Sequence, residues 1–199
     1  MRILVIGAGG AVGRAIVAEL AQRHDVVEAG RTRGAHRLDV RDLDDVRRLF
    51  AEAGTLDAVV MATGSVHFGP LGEMTAEQFR SGLDDKLMGQ VNVVLAGQHR
   101  LADGGSFTLT SGILAEQPIR EGADASTVNA ALEGFVRAAA IELPRGLRIN
   151  AVSPTVLAES MATYGPYFRG FEPAPAARVA LAYSRSVEGA QTGQVYKVW

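Results

Sequence analysis

The sequence predicts an α/β protein: a doubly wound, three-layer sandwich with helices on both faces of a mostly or wholly parallel, seven-stranded sheet. Short continuous apolar runs, the mark of strands covered on both faces, recur along the chain. Segments with apolar residues at helical spacing separate them, and a glycine-rich turn joins the first run to the first helix. Strands that alternate with helices in this way build parallel sheets.

The elements follow in order. Ile3-Leu4-Val5-Ile6 reads as the first strand, and Gly7 to Gly13 as the turn after it. Arg14–Arg23 carries Ile16, Val17 and Leu20 on one helical face. Val26-Val27 with Ala29 is a second strand, residues 31–37 a loop, and Leu38-Asp39-Val40 a short third strand or its end. Asp42 supplies a carboxylate N-cap for a helix through Phe50. Leu56–Met61 is the fourth strand. Thr75 and Gln78 have the spacing of a capping box, so a long helical region runs from there towards Leu101, broken near Gly82. Ser106–Thr110 is strand five, Ala123–Leu143 a helix stopped by Pro144, Leu147–Val152 strand six, and Val195–Val198 strand seven. Residues 1–199 fit one domain, with no internal repeat, low-complexity tract or dividing linker.

Composition removes several functions. The net charge of -2 offers nothing to a nucleic acid, and the absence of cysteine excludes disulfides, thiolate metal sites and a cysteine nucleophile. No apolar run approaches the roughly 20 residues that cross a bilayer. Residues 1–6 are too short for a signal peptide, so a soluble, cytoplasmic protein is expected. His24, His36, His67 and His99 show no HExxH-type spacing, so no metal is expected.

The turn Gly7-Ala8-Gly9-Gly10-Ala11-Val12-Gly13 carries the strongest chemical signal. Between a buried strand and an amphipathic helix, glycines let the backbone approach a pyrophosphate, and the helix offers free N–H groups and its positive dipole end. This is a Rossmann-type dinucleotide cradle, with Gly7, Gly10, Ala11, Val12 and Gly13 as cofactor-binding candidates. Strand two ends in Ala29-Gly30-Arg31-Thr32-Arg33. A cation there suits a 2′-phosphate, where an acid would suit a free ribose hydroxyl. Arg31, helped by Thr32 or Arg33, favours NADP(H) over NAD(H). Glu28, the competing acid, lies inside the strand. Merely solvated arginines are the alternative.

With these residues in hand, the whole chain from Ile3 to Val198 resembles the short-chain dehydrogenase/reductase family. Gly7-x-x-Gly10-x-x-Gly13 is closer to its extended and atypical members than to the usual GxxxGxG. Asp39-Val40 matches the Asp-Val after strand three, which implies a contact with adenine. Gly105–Ser111 matches the strand that ends in the catalytic serine, here Ser111. Asn129–Phe135, Arg148–Pro154 and Thr192–Val195 resemble the active-site helix, strand six and the start of the last strand. The resemblance implies that Ala62-Thr63-Gly64 and Pro154 also touch the cofactor, and that copies pair through residues 84–101 and 123–143 as a homodimer or homotetramer. It implies reduction of carbonyls or oxidation of alcohols by an Asn, Ser, Tyr and Lys set.

Here the chain departs from its family. Ala125 stands at the tyrosine position, Asn129 at the lysine position, Lys86 at the asparagine position and Ala62-Thr63-Gly64 where Asn-Ala-Gly is usual. Pro154-Thr155 replaces Pro-Gly, and Glu159 the threonine that often meets the carboxamide. Ser111 alone stands intact. Lys86, one of two lysines, is the candidate substitute acid, against the alternative of a solvated lysine beside Asp84 and Asp85. Tyr164 and Tyr167, in the Gly/Pro-rich stretch 161–173, and His67 are further candidate donors. Two functions follow: an oxidoreductase of a small carbonyl or alcohol with Ser111 and Lys86 as catalytic residues, or a non-catalytic NADP(H)-binding sensor or partner-binding protein.

Overall fold

The computed structural model describes residues 1–199. Its seven strands form one sheet, Arg2–Ile6 (β1), Asp25–Gly30 (β2), His36–Arg37 (β3), Leu56–Met61 (β4), Leu101–Thr110 (β5), Arg148–Pro154 (β6) and Val195–Val198 (β7). The order is β3-β2-β1-β4-β5-β6-β7 and every pairing is parallel. The order reverses between β1 and β4, so the chain leaves a crevice at their carboxyl ends, where ligands of open α/β sheets bind.

Two apolar layers hold the sheet. On one face Ala11–Leu20 (α1) and Ala176–Glu188 (α7) cover Ile3, Val5, Ala58 and Val60. On the other, Leu43–Ala53 (α2), Gly89–Gly97 (α4) and Ala123–Glu142 (α5) cover Leu4, Ile6, Val59, Phe107 and Ile149. Alternate residues of one strand thus serve opposite layers, which explains why the strands read as unbroken apolar runs. No helix is long and apolar enough to cross a membrane.

Several boundaries differ from the sequence expectation. The first helix starts at Ala11 rather than Arg14, capped by Gly10, and ends at Leu20. The third strand is His36–Arg37, paired with Ala29 and Gly30, whereas Leu38-Asp39-Val40 runs on beyond it. Strand five begins at Leu101, five residues early: Leu56 pairs with Leu101, then the register slips so that Ala58 meets Ser106. The slip absorbs Ala102–Gly105, whose two glycines hide the strand from any alternation rule. The region after Thr75 has the expected capping box, with Gln78 N–H donating to Thr75 Oγ1 and Thr75 N–H to Gln78 Oε1. Its break near Gly82 is a change of helix type: Ala76–Gly82 (α3) passes into a π-helical turn, Leu83–Met88, before α4.

Asp42 caps α2 as expected, accepting from Asp44 N–H at 2.9 Å and Asp45 N–H at 3.4 Å. Asp42→Ala should cost about 1 kcal/mol. A lower urea midpoint with unchanged slope would show it, and an unchanged midpoint would mean the cap contributes nothing.

Candidate active site

The glycine turn and the ends of β1, β2 and β4 enclose a cleft lined by Gly7, Gly9, Gly10, Gly30, Arg31, Thr32, Arg33, Asp39, Val40, Ala62 and Thr63. Space there is set by backbone contact. Gly7 takes φ +91°, and a Cβ on it would lie 2.5 Å from the Ala62 carbonyl oxygen. The turn is tied down by Gly7 N–H to Ala29 O at 2.8 Å and Ala62 N–H to Ile6 O at 2.8 Å. Gly10, by contrast, has no neighbour nearer than 3.5 Å to such a Cβ. The turn is therefore closed from below and open above, the shape a pyrophosphate needs.

Arg31, exposed at the end of β2, lines this cleft with Thr32, and Arg33 hangs against Gly9. Asp39 also lines it, but Arg41 forks onto its carboxylate, Nε lying 2.9 Å from Oδ1 and 3.0 Å from Oδ2. The Arg41 hydrogen bonds hold the Asp39 carboxyl at about 2, with Arg31 adding to the pull. Val40 is buried, and its carbonyl accepts from Asn92 Nδ2 at 3.0 Å, fixing the cleft floor to α4. Ala11, Val12 and Gly13 form the first turn of α1 beneath the cradle.

Deeper in, the π-turn delivers Lys86 across the end of the sheet. Its Nζ donates to Asn129 Oδ1 at 2.7 Å and to the Ser111 carbonyl at 3.1 Å. Its stem runs against Gly64, where φ is +133° and a Cβ would lie 2.5 Å from Lys86 Cγ. The residue keeps some access to solvent, yet loss of hydration pushes the ammonium down to about 8, with Asp124 pulling the other way. Lys86 is thus no solvated surface lysine. Lys86 and Asn129, the two residues that the sequence resemblance aligned with the family's asparagine and lysine, thus meet in the structure.

The other candidates are placed differently. The Ser111 side chain is buried, its hydroxyl donating to Glu133 Oε1 at 2.9 Å, and Glu133 also accepts from Arg137. What Ser111 presents to Lys86 is its carbonyl, so hydroxyl and ammonium do not converge on one point in this conformation. Ala125 is buried in a small apolar cluster with Ile113, Leu114, Val156 and Phe168. Tyr164, in the short helix Met161–Tyr164 (α6), and Tyr167 pack at a tilt against Phe68, centroids 5.7 and 5.0 Å apart, so the segment after β6 already lies on the loop after β4. Glu159 turns away, accepting the Ala176 N–H at the start of α7 with both oxygens, 3.0 and 3.1 Å. Beside Pro154, Thr155 Oγ1 is buried with no partner. An orphaned hydroxyl at the carboxyl end of β6, with the open glycine cradle across the crevice, fits a ligand that carries both a pyrophosphate and an amide. No group of three or more His, Asp or Glu could hold a metal ion.

Sequence reasoning missed Asp124, Glu133 and Thr155 as groups at this site. Each lies beside a residue of the family pattern, but burial without a partner, or with a serine as partner, has no signature in sequence.

Comparison with known proteins gives a consistent picture. A family model described as enoyl-(acyl carrier protein) reductase matches residues 6–196. Hydroxynaphthalene reductase arp2 of Aspergillus fumigatus is 30% identical over 182 residues, 79% of this chain and 67% of that protein. The hydroxynaphthalene reductase-like protein Arp2 of Metarhizium brunneum is 30% identical over 76% of this chain, but only 66% of its own length is spanned. Among solved structures, protein lin1944 of Listeria innocua is 48% identical over the whole of both chains, with a TM-score of 0.98. A small-chain dehydrogenase in complex with NADPH is 25% identical, with a TM-score of 0.88, over 100% of this chain and 96% of its own.

Proposed function

This chain belongs to the short-chain dehydrogenase/reductase family, whose members bind nicotinamide cofactors, and on that premise we propose that it is an NADP(H)-dependent oxidoreductase of a small carbonyl or alcohol, with Lys86 in place of the usual tyrosine. The observation that carries this reading is the Lys86 ammonium, held between Asn129 Oδ1 and the Ser111 carbonyl, one residue along the π-turn from Asp85 of the dinucleotide cleft. Two of its three N–H groups are taken, which leaves one for a substrate oxygen.

Gly7, Gly10, Ala11, Val12 and Gly13 would hold the pyrophosphate, Arg31 and Thr32 the 2′-phosphate, and Pro154 with Thr155 the nicotinamide end. The cofactor supplies or accepts a hydride when bound there. In reduction, negative charge grows on the carbonyl oxygen, and Lys86 Nζ stabilises it and gives it a proton, becoming a neutral amine. In oxidation the neutral amine takes the alcohol proton. A value near 8 lets one group do both close to neutral pH. Asn129 and the Ser111 carbonyl keep the amine pointed. Glu133 holds Ser111 in turn.

The NADP(H) preference rests on Arg31 at the end of β2 and on the NADPH found in the 25% identical relative. Arg31→Ala should weaken NADPH about 10- to 100-fold, the value of one or two charge-assisted hydrogen bonds. NADH binding should barely change. Fluorescence titration of both nucleotides reads this, and equal weakening of the two would sink the 2′-phosphate assignment. NADPH binding without turnover of any carbonyl would instead point to a sensor.

A further inference from the structure

The mechanism above leaves one buried acid unused. Asp124, in the first turn of α5, has no exposed surface. Its Oδ2 accepts the backbone N–H of His67 at 2.6 Å, while Oδ1 is buried without a partner. Nearly every buried polar atom in a folded protein finds a partner, so an orphaned carboxyl oxygen asks for a reason. Gly82 lies so close that a Cβ on it would fall 2.1 Å from Oδ2 and 2.4 Å from Oδ1. Lys86 follows Gly82 by four residues, about one turn along the same helical ribbon. Asn129, which accepts from Lys86, follows Asp124 on α5. The acid and the amine therefore share one seam between α3, the π-turn and α5.

Few other charges reach this seam. The loop after β4 contributes His67, whose backbone N–H and ring both act on Asp124. On the π-turn, Asp85 is engaged by the Ser65 N–H at 2.6 Å and Asp84 is exposed. On α5, Glu133 is taken by Ser111 and Arg137. Burial pushes the Asp124 carboxyl above its ordinary range, and the His67 N–H, the His67 ring and Lys86 each pull it back toward the charged form. Asp124 in turn is the charge that opposes the loss of hydration at Lys86.

We propose that Asp124 is a positioning residue for the reaction: it keeps the Lys86 ammonium protonated in a site dry enough to favour the neutral amine, and so sets the upper pH limit of carbonyl reduction. The inference rests on Lys86 as the proton donor. Asp124 itself gives up no proton. Burial favours the neutral amine at Lys86, and a carboxylate nearby opposes that. His67 N–H on Oδ2 orients the carboxylate, and Gly82 makes room for it.

Asp124→Asn keeps the size of the side chain and an acceptor for His67 N–H, but removes the charge. The chain has two lysines, Lys86 and Lys197, so their 13Cε resonances can be followed separately against pH without any turnover. In the variant the Lys86 midpoint, near 8 in the wild type, should fall by about one pH unit or more while that of Lys197 stays put. The upper limb of the kcat profile for carbonyl reduction should move down equally, with NADPH affinity unchanged. An unmoved Lys86 midpoint in folded Asp124→Asn overturns the pairing. A shifted midpoint with an unmoved rate profile overturns the proposal differently, because the pairing then exists and it is Lys86 as donor that fails. Should Asp124→Asn not fold, Lys86→Met reads the same pairing in reverse: the Asp124 13Cγ midpoint must rise, and no rise overturns it.

Discussion

Lys86→Met should lower kcat for carbonyl reduction by about 10²- to 10⁴-fold, the usual contribution of a positioned general acid. Methionine fills the space beside Gly64, where the lysine stem runs, but carries neither the charge nor the N–H. NADPH affinity should hardly move, because Lys86 lies beyond the residues that line the dinucleotide cleft. The pH dependence has a definite sign. With Lys86 as the proposed donor, reduction needs the protonated amine, so wild-type turnover should fall as pH rises past about 8, and that limb should vanish from the residual activity of the variant. Folding stability runs the other way. Between about 8 and the ordinary lysine value of 10.5, the unfolded chain binds a proton at this site that the folded chain does not. Stability contributed by the site therefore rises with pH in that window while turnover falls. A steady-state carbonyl panel with chemical denaturation at pH 7 and 9.5 tests both halves. Wild-type kcat in Lys86→Met would remove Lys86 from the chemistry.

Gly13→Ala should be the most damaging single methyl in the cradle. A Cβ there would lie 2.0 Å from the Gly7 carbonyl oxygen and 2.8 Å from Ala8 Cα, and both obstacles are backbone. Nothing flexible can move aside, so the turn must open or α1 must shift. Overpacking of this kind costs about 1–3 kcal/mol, and a turn displaced by it should bind NADPH about 100-fold more weakly. Gly10→Ala is the matched control, since its nearest neighbour would lie at 3.5 Å, an ordinary contact. It should keep the thermal transition, and any loss of NADPH affinity there would come from the ligand's own close approach. Equal thermal transitions for Gly13→Ala and wild type would contradict the packing argument.

Ser111 shows how a matched motif and its geometry can part. The motif at the end of β5 put this serine forward as a catalytic residue, yet its hydroxyl is spent on Glu133, one turn beyond Asn129 on α5. The same sequence comparison placed Lys86 and Asn129 at exchanged positions without saying that they touch. Contact required the π-turn, an irregularity that hydrophobic spacing around Gly82 signalled only as a break. Strand five shows the other limit. Its first half pairs with β4 only at Leu101, before a register slip over Ala102–Gly105 that gives no alternation to read.

What the sequence determined by itself is everything that local patterning encodes. The alternation of strands and helices that makes a parallel sheet, the glycine turn, Arg31 after the second strand and the caps at Asp42 and Thr75 follow from period, turn chemistry and residue type within a few neighbouring positions, whereas the strand order and the bounds of the third and fifth strands do not. What only the tertiary structure decided is which distant polar groups share a buried space. Lys86 with Asn129, Ser111 with Glu133 and Asp124 beside Gly82 are separated by 22 to 43 residues in the chain. Their charges and hydrogen bonds are set by loss of water around them, and desolvation is a property of packed surroundings that no single stretch of sequence carries.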